Sequence, residues 1–418
     1  MSILIKNVLC NNAVVDVLIL GNSIAKIDKN IDFNADKIID GTDKAICPGF
    51  VNCHTHSAMT FFRGIGDGLS LDSWLNDFIW PIEAKMTEET VYHYAKLAFL
   101  EMIKSGTTCF YDMYWFRDVL DRAATEIGIR AVEPQIVMTG NKPFKETVKE
   151  VEDAYKRFKP NDLTSFAVAP HAVYTVSKEL LEWVRDFSEE NNLLVQIHAA
   201  ETKKENDDCF KQYGMTPIRF LESIGLLSPR LSVAHCLWVD NEEIKMLADN
   251  DVKVVHNPNS NLKLSSGYQF EFEKMKQMGI TVGLGTDGCG SSDNLDMTEA
   301  MKVASLIGKA WRFDSKAVTA NSVFDSATVN GGLIVDKKIG KIEEGYLADV
   351  VLFNLNSPAM IPNHNFIANV VYSANGADVD TVICNGKVLM ENRYVAFEKD
   401  LIDEVKSYTN YFVKHVKL

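Results

Sequence analysis

Pro48-Gly-Phe-Val-Asn-Cys-His-Thr-His-Ser57 is the stretch whose reading decides the fold. It reads as an apolar strand, Ile46 to Cys53, that runs into two histidines. His54 and His56 are two residues apart, a spacing that puts both imidazoles on one face of an extended chain. Imidazole is a common ligand of zinc and its neighbours. The chain has only nine histidines, so a pair at a strand end points to a metal site if further ligands recur at equivalent places downstream.

They do recur. From residue 46 to about 335, short apolar runs alternate with helical periods. The runs cover 46–53, 107–112, 129–138, 165–169, 193–197, 231–234, 252–255 and 280–285. One intervening helix starts near Thr87, carries Glu88 and Glu89 in its first turn, buries Val91, Ala95, Ala98 and Met102, and stops at Gly106. Another is capped by Ser177 and shares Leu180, Leu181, Val184 and Phe187 on one face. Helices are also expected over 296–312 and 319–332, whereas 57–86, rich in glycine and aromatic residues, reads as a long loop. Eight strands alternating with helices predict a closed (β/α)8 TIM-type barrel. An open doubly wound sheet would favour a GxGxxG turn after its first strand, and none is present. His54, His56, His171, His198, His235, His256 and Asp287 all stand just past a strand's C-terminal end, and in a barrel those ends form one mouth. His93, His364 and His415 fall outside the pattern and read as surface or structural residues.

The flanks are β-rich. Residues 1–45 hold short apolar runs punctuated by Asn11-Asn12 and Gly21-Asn22. After about 335 strands return, with a hairpin signal at Asn385-Gly386. The expected organisation is a barrel over 46–335, a small β-sandwich domain built from 1–45 and 336–400, and a terminal helix over 401–418.

The formal net charge of −14 argues against nucleic acid or an anionic membrane as partner. No apolar run approaches the ~20 residues of a membrane span. The opening MSILIKNVLCNN lacks the apolar core and cleavage site of a secretory signal. The eight cysteines are scattered without a CxxC pair and read as reduced, buried thiols, so a cytoplasmic protein is expected. A monomer and a homo-oligomer are both compatible with the sequence.

A mononuclear metal site needs about four ligands and one open position. His54 and His56 supply two, His198 a third, and Asp287, in GLGTDG, a fourth. Glu201 follows His198 by three residues, within reach of a metal-bound water whose proton it could shuttle. His235 would orient substrate or the attacking water, and His256 would be a hydrogen-bonding partner behind the ligands. The fourth strand, SFAVAPHAV, offers no lysine or glutamate to bridge two ions, so a single divalent metal is expected. A PCxxC motif, the mark of the HxE-type zinc deaminases, is absent.

Taken together, PGFVNCHTHSAM, HAAE, VAHC, HNPNSNLKLSSG and GLGTDG resemble the amidohydrolase superfamily, aminohydrolase branch, over nearly the whole chain. The loop FFRGIGDGLSLDSWLNDFIWPIEAKMT is similar to that of 5-methylthioadenosine/S-adenosylhomocysteine deaminases. The resemblance implies hydrolytic deamination of an adenine nucleoside, with guanine or a triazine as the alternative aminated ring and an inactive scaffold as the non-enzymatic one. It implies zinc on His54, His56, His198 and Asp287. It further implies that Asp287 takes the water's proton, Glu201 protonates a purine ring nitrogen and His235 assists the attack. Glu83 would bind the ribose hydroxyls and His171 the substrate, with Trp80 lining a flat-ring pocket. Two departures stand out: Asp67-Gly68 replaces a pair of acids, and AVEPQIVMTG lacks an arginine that would suit a carboxylate-bearing substrate tail.

Overall fold

The computed structural model describes residues 1–140 and 142–416. The first five strands are β1 (Ser2–Cys10), β2 (Ala13–Leu20), β3 (Ser23–Asp28), β4 (Lys37–Asp40) and β5 (Lys44–Pro48). Eight more follow as β6 (Phe50–Thr55), β7 (Thr107–Asp112), β8 (Arg130–Val137), β9 (Thr164–Pro170), β10 (Leu194–Ala199), β11 (Leu231–His235), β12 (Lys253–His256) and β13 (Val282–Leu284). The last three are β14 (Val350–Asn354), β15 (Val379–Cys384) and β16 (Lys387–Met390).

Strands β6 to β13 form one parallel sheet in sequence order, the eight-stranded barrel expected from the alternation. The remaining strands form a mixed sheet from both termini, ordered β16-β15-β14-β5-β1-β2-β3, with β4 on β1. The single strand expected over 46–53 is in fact two. β5 pairs antiparallel with β14 in the terminal sheet, while β6 pairs with β7 in the barrel. Gly49 makes the crossing feasible: a Cβ there would lie 2.1 Å from Thr108 Oγ1, so only glycine lets the chain pass. An unbroken apolar run conceals such a change of sheet, because both halves are buried.

The expected helix over 319–332 is likewise two, Ala320–Ser326 and Val329–Ile334, which break at Thr328. The long loop expected over 57–86 is instead a string of short helical turns, at 57–62, 71–73, 74–79 and 80–83. Each is too short to show a helical period. Met59, Phe62, Trp74, Ile79 and Ile82 are buried and hold the segment over the barrel mouth.

The barrel closes by side chains. Between β6 and β13, Asn52 Nδ2 donates to Thr286 Oγ1 at 2.7 Å, and the Thr286 N–H donates to Asn52 Oδ1 at 3.0 Å. The Asp287 N–H adds a bond to the His54 carbonyl at 3.0 Å. This seam joins the ends of the first and last strands, where His54 and Asp287 stand.

One ion pair ties the two sheets together. Arg130, on β8, bonds Asp349 through Nε at 2.8 Å and Nη2 at 2.9 Å, and both side chains are 1 % exposed. Removing one partner strands a buried charge, so Asp349→Ala is expected to lower the unfolding free energy by about 3–5 kcal/mol, read from a denaturant melt. Among the described residues no helix is long and apolar enough to cross a membrane.

Candidate active site

His54 and His56 leave the end of β6, His198 is the penultimate residue of β10, His235 ends β11, and Asp287 follows β13. His235 and Asp287 have left-handed backbones, with φ of 75° and 61°. Such conformations cost non-glycine residues about 1–3 kcal/mol and cluster where side chains must be aimed. All five side chains meet at the barrel mouth. The ligand atoms of His54, His56 and Asp287 lie within 4.8 Å of one another, as do those of His54, His198 and His235.

The hydrogen bonds behind the rings fix their tautomers. His56 Nδ1 faces the Met113 carbonyl at 2.6 Å, and His198 Nδ1 faces the His171 carbonyl at 2.7 Å. A carbonyl only accepts, so both Nδ1 atoms carry the proton. His54 Nδ1 faces Gln196 Oε1 at 2.8 Å, and the other end of that amide donates to the Cys53 carbonyl at 2.9 Å. His54 Nδ1 is therefore a donor too. Three Nε2 atoms consequently face the mouth. Those of His54 and His198 stand 3.1 Å apart, and Asp287 Oδ1 lies 3.1 Å from His56 Nε2 and 3.6 Å from His54 Nε2. Two lone pairs at that distance repel unless a cation lies between them. Two nitrogens bound to zinc at a tetrahedral angle would be separated by roughly 3.3 Å. Burial disfavours charge on His54 and drives its pKa down, and does the same to His198, which keeps both neutral. Burial opposes charge on His56 as well, yet its hydrogen bond to Asp287 carries it up to about 9, a measure of how strongly the carboxylate attracts positive charge here. These donors fit a divalent metal.

The amidohydrolase family model matches residues 45–389. The chain belongs to the amidohydrolase family. Its sequence is 44 % identical over 404 residues to a 5-methylthioadenosine/S-adenosylhomocysteine deaminase of Thermococcus onnurineus, covering 94 % of this chain and 95 % of that one. A 5'-deoxyadenosine deaminase of Methanosphaera stadtmanae is 42 % identical, with 93 % of each chain covered. Among solved structures, an adenosine deaminase from Xanthomonas campestris with bound zinc superposes with a TM-score of 0.93 at 30 % identity, covering 99 % of this chain and 98 % of that one.

Beside the residues gathered at the barrel mouth, this amidohydrolase has a cavity lined by His56, Trp80, Glu83, His171, Glu201 and His235 among others. Glu201 is 6 % exposed, and burial first, then the charge of Asp287, pushes it up to about 8. At neutral pH it holds its proton. Glu201 Oε2 is 3.7 Å from His235 Nε2, and Oε1 accepts from Ser266 Oγ at 3.0 Å. Glu83 is raised by burial, against the lowering influence of neighbouring Tyr114, His56 and Trp115. His171 is lowered to about 3 by burial and by His56, and its Nδ1 meets Thr175 Oγ1 at 2.9 Å.

His256 stays apart. It was expected to bond a ligand from behind, but its ring stacks on Phe270 at 4.0 Å and its Nδ1 has no partner. His93 is buried under the C-terminal helix, 4.4 Å from the Tyr408 ring, so it is structural, and His364 and His415 are exposed. Gln196, Tyr114, Trp115, Ser260, Asn261 and Ser266 were not singled out from the sequence. Gln196 gave a signal, a polar residue inside the apolar run LVQIHA.

Proposed function

We propose that this amidohydrolase removes ammonia from the purine ring of an adenine nucleoside, using one zinc ion per chain held by His54, His56, His198 and Asp287. One observation carries the reading: the Nε2 atoms of three imidazoles and a carboxylate converge beside a buried, un-ionised glutamic acid on one cavity at the barrel mouth. The names of the relatives support the adenine ring. The triazine hydrolase and guanine deaminase structures that also superpose are 23 % and 21 % identical and speak to fold alone.

A bound divalent cation supplies a hydroxide-like nucleophile near neutral pH. The chain's own groups do the rest. Asp287 accepts the attacking water's proton. Glu201 gives its proton to the ring nitrogen next to the amine-bearing carbon, which neutralises charge as that carbon becomes tetrahedral. His235 steadies the nucleophile through its Nε2 lone pair. The proton held by Asp287 then passes to the amine, which leaves as ammonia, and the adduct's hydroxyl proton returns to Glu201, giving the inosine analogue. Glu83, beside Tyr114 and Trp115, accepts from the ribose hydroxyls, His171 contacts the substrate, and Trp80 lies along the ring. We place the enzyme in the cytoplasm, a reading supported by eight buried, unpaired cysteines.

The cavity also favours a neutral 5' end. Its described lining includes Glu83, Glu201 and Asp287 and no lysine or arginine, while Met113, Ile136 and Met138 form an apolar wall. A substrate carboxylate would lie unpaired there, at a cost of about 1.5–3 kcal/mol. 5'-Deoxyadenosine and methylthioadenosine are therefore expected to exceed S-adenosylhomocysteine in kcat/KM by about 10- to 150-fold. Ultraviolet absorbance on a panel of nucleosides and bases, with and without chelator, tests both points. Ammonia from guanine but none from adenine nucleosides would reject the reading, and parity for S-adenosylhomocysteine would reject the neutral-end preference alone.

A further inference from the structure

The stretch from His256 to Ser266 supplies no metal ligand, and its histidine faces away from the cavity. It is nonetheless rich in buried polar side chains: Ser260 is 0 %, Asn261 1 % and Ser266 6 % exposed. Each meets a different group of the proposed proton chemistry. Ser260 Oγ donates to Asp287 Oδ2 at 2.6 Å, Asn261 Oδ1 meets His235 Nδ1 at 2.8 Å, and Ser266 Oγ donates to Glu201 Oε1 at 3.0 Å. Those three partners come from the ends of three different strands, β13, β11 and β10.

We infer that residues 260–266 form a positioning strap that sets the orientation and proton placement of Asp287, His235 and Glu201 together. The inference rests on the roles proposed for those three residues. Ser260 occupies Oδ2 of Asp287 with a charge-assisted bond and leaves Oδ1 turned to His54 and His56. Asn257 Nδ2 also approaches His235 Nδ1, but at 3.5 Å, and the shorter bond to Asn261 Oδ1 governs. His235 Nδ1 is thus the donor, and its Nε2 lone pair points into the mouth. Ser266 occupies Oε1 of Glu201, so the acid's proton belongs on Oε2, the oxygen nearer His235.

The strap is itself fixed. It opens as a helical turn, Pro258–Lys263, and the Ser266 N–H closes back on the Asn261 carbonyl at 2.9 Å. Trp238 Nε1 donates to the Ser266 carbonyl at 2.7 Å, and Lys263 pairs with Asp293. Its three contacts are therefore held in one rigid frame.

The test uses the full-length, metal-loaded enzyme, with Ser260→Ala, Asn261→Leu and Ser266→Ala set against Ser260→Thr, Asn261→Asp and Ser266→Thr, which keep a hydroxyl or an acceptor. For Asn261→Leu and Ser266→Ala, kcat is expected to fall about 10- to 100-fold, as for other residues that orient metal-site groups, with KM nearly unchanged. The conservative variants should restore most of that loss. Ser260→Ala should lose its metal at a chelator concentration about tenfold lower than wild type, and Ser260→Thr should regain it. Unchanged kcat, a loss shared equally by KM, a loss the conservative variants fail to rescue, or a collapse in thermal midpoint would each overturn the strap. If the wild type deaminates no adenine nucleoside, the functional reading falls, while metal retention in the two Ser260 variants still decides the strap at Asp287.

Discussion

Glu201→Gln is expected to lower kcat by about 10²–10⁴-fold, the usual worth of a positioned general acid, with metal content and fold intact. Glutamine fills the same space and keeps the bond from Ser266, but it has no proton to give the ring. The pH profile should carry the same signature. A free glutamic acid titrates near 4.3, whereas burial and Asp287 push Glu201 up to about 8. The proton-bearing form is the active one, so activity holds below that pKa and is lost as pH rises through it. A bound cation favours the ionised form and moves the basic limb downward from pH 8, never upward. An ultraviolet assay run from about pH 5.5 to 9.5 should show this limb in the wild type and not in Glu201→Gln. A basic limb that persists unchanged in the variant belongs to another group, and the assignment of Glu201 fails.

The second large effect is expected at His54, whose Nε2 belongs to both candidate ligand groups. His54→Ala should retain less than about a tenth of an equivalent of metal after dialysis, and its activity should fall by at least about 10³-fold, since the lost stabilisation is several kcal/mol. Chelation of the wild type should give the same loss, reversed by added zinc. The variant should not recover. A variant that keeps a full equivalent of metal and its turnover would show that the ion lies elsewhere. Metal analysis and assay on the same samples decide it.

What the sequence made legible followed from the period of the chain. A strand end is easy to find in a parallel barrel, because the apolar run stops and a reactive side chain follows. His54, His198, His235 and Asp287 were visible on that ground. The residues that hold them were not. Met113 serves through its carbonyl, which any residue would offer. Tyr114 and Trp115 line the same cavity as Glu83, some thirty residues earlier in the chain, a neighbourhood no spacing encodes. His256 stood at a strand end like the others and misled, because position along a strand does not say which way a ring turns to pack. Gly49 hid the change of sheet for the opposite reason: its role lies in the Cβ it lacks, against a threonine far along the chain.

The side-chain seam between β6 and β13 has a bearing on how the enzyme comes into being. Of the proposed ligands, His54 and His56 stand on one lip of that seam and Asp287 on the other, so a nascent polypeptide bearing only the early histidines would lack the carboxylate. Long-range closures of this kind are slow, because the intervening chain must be ordered before they form. Metal loading is therefore expected to follow closure of the barrel, as a final latch on an assembly that has already found its shape.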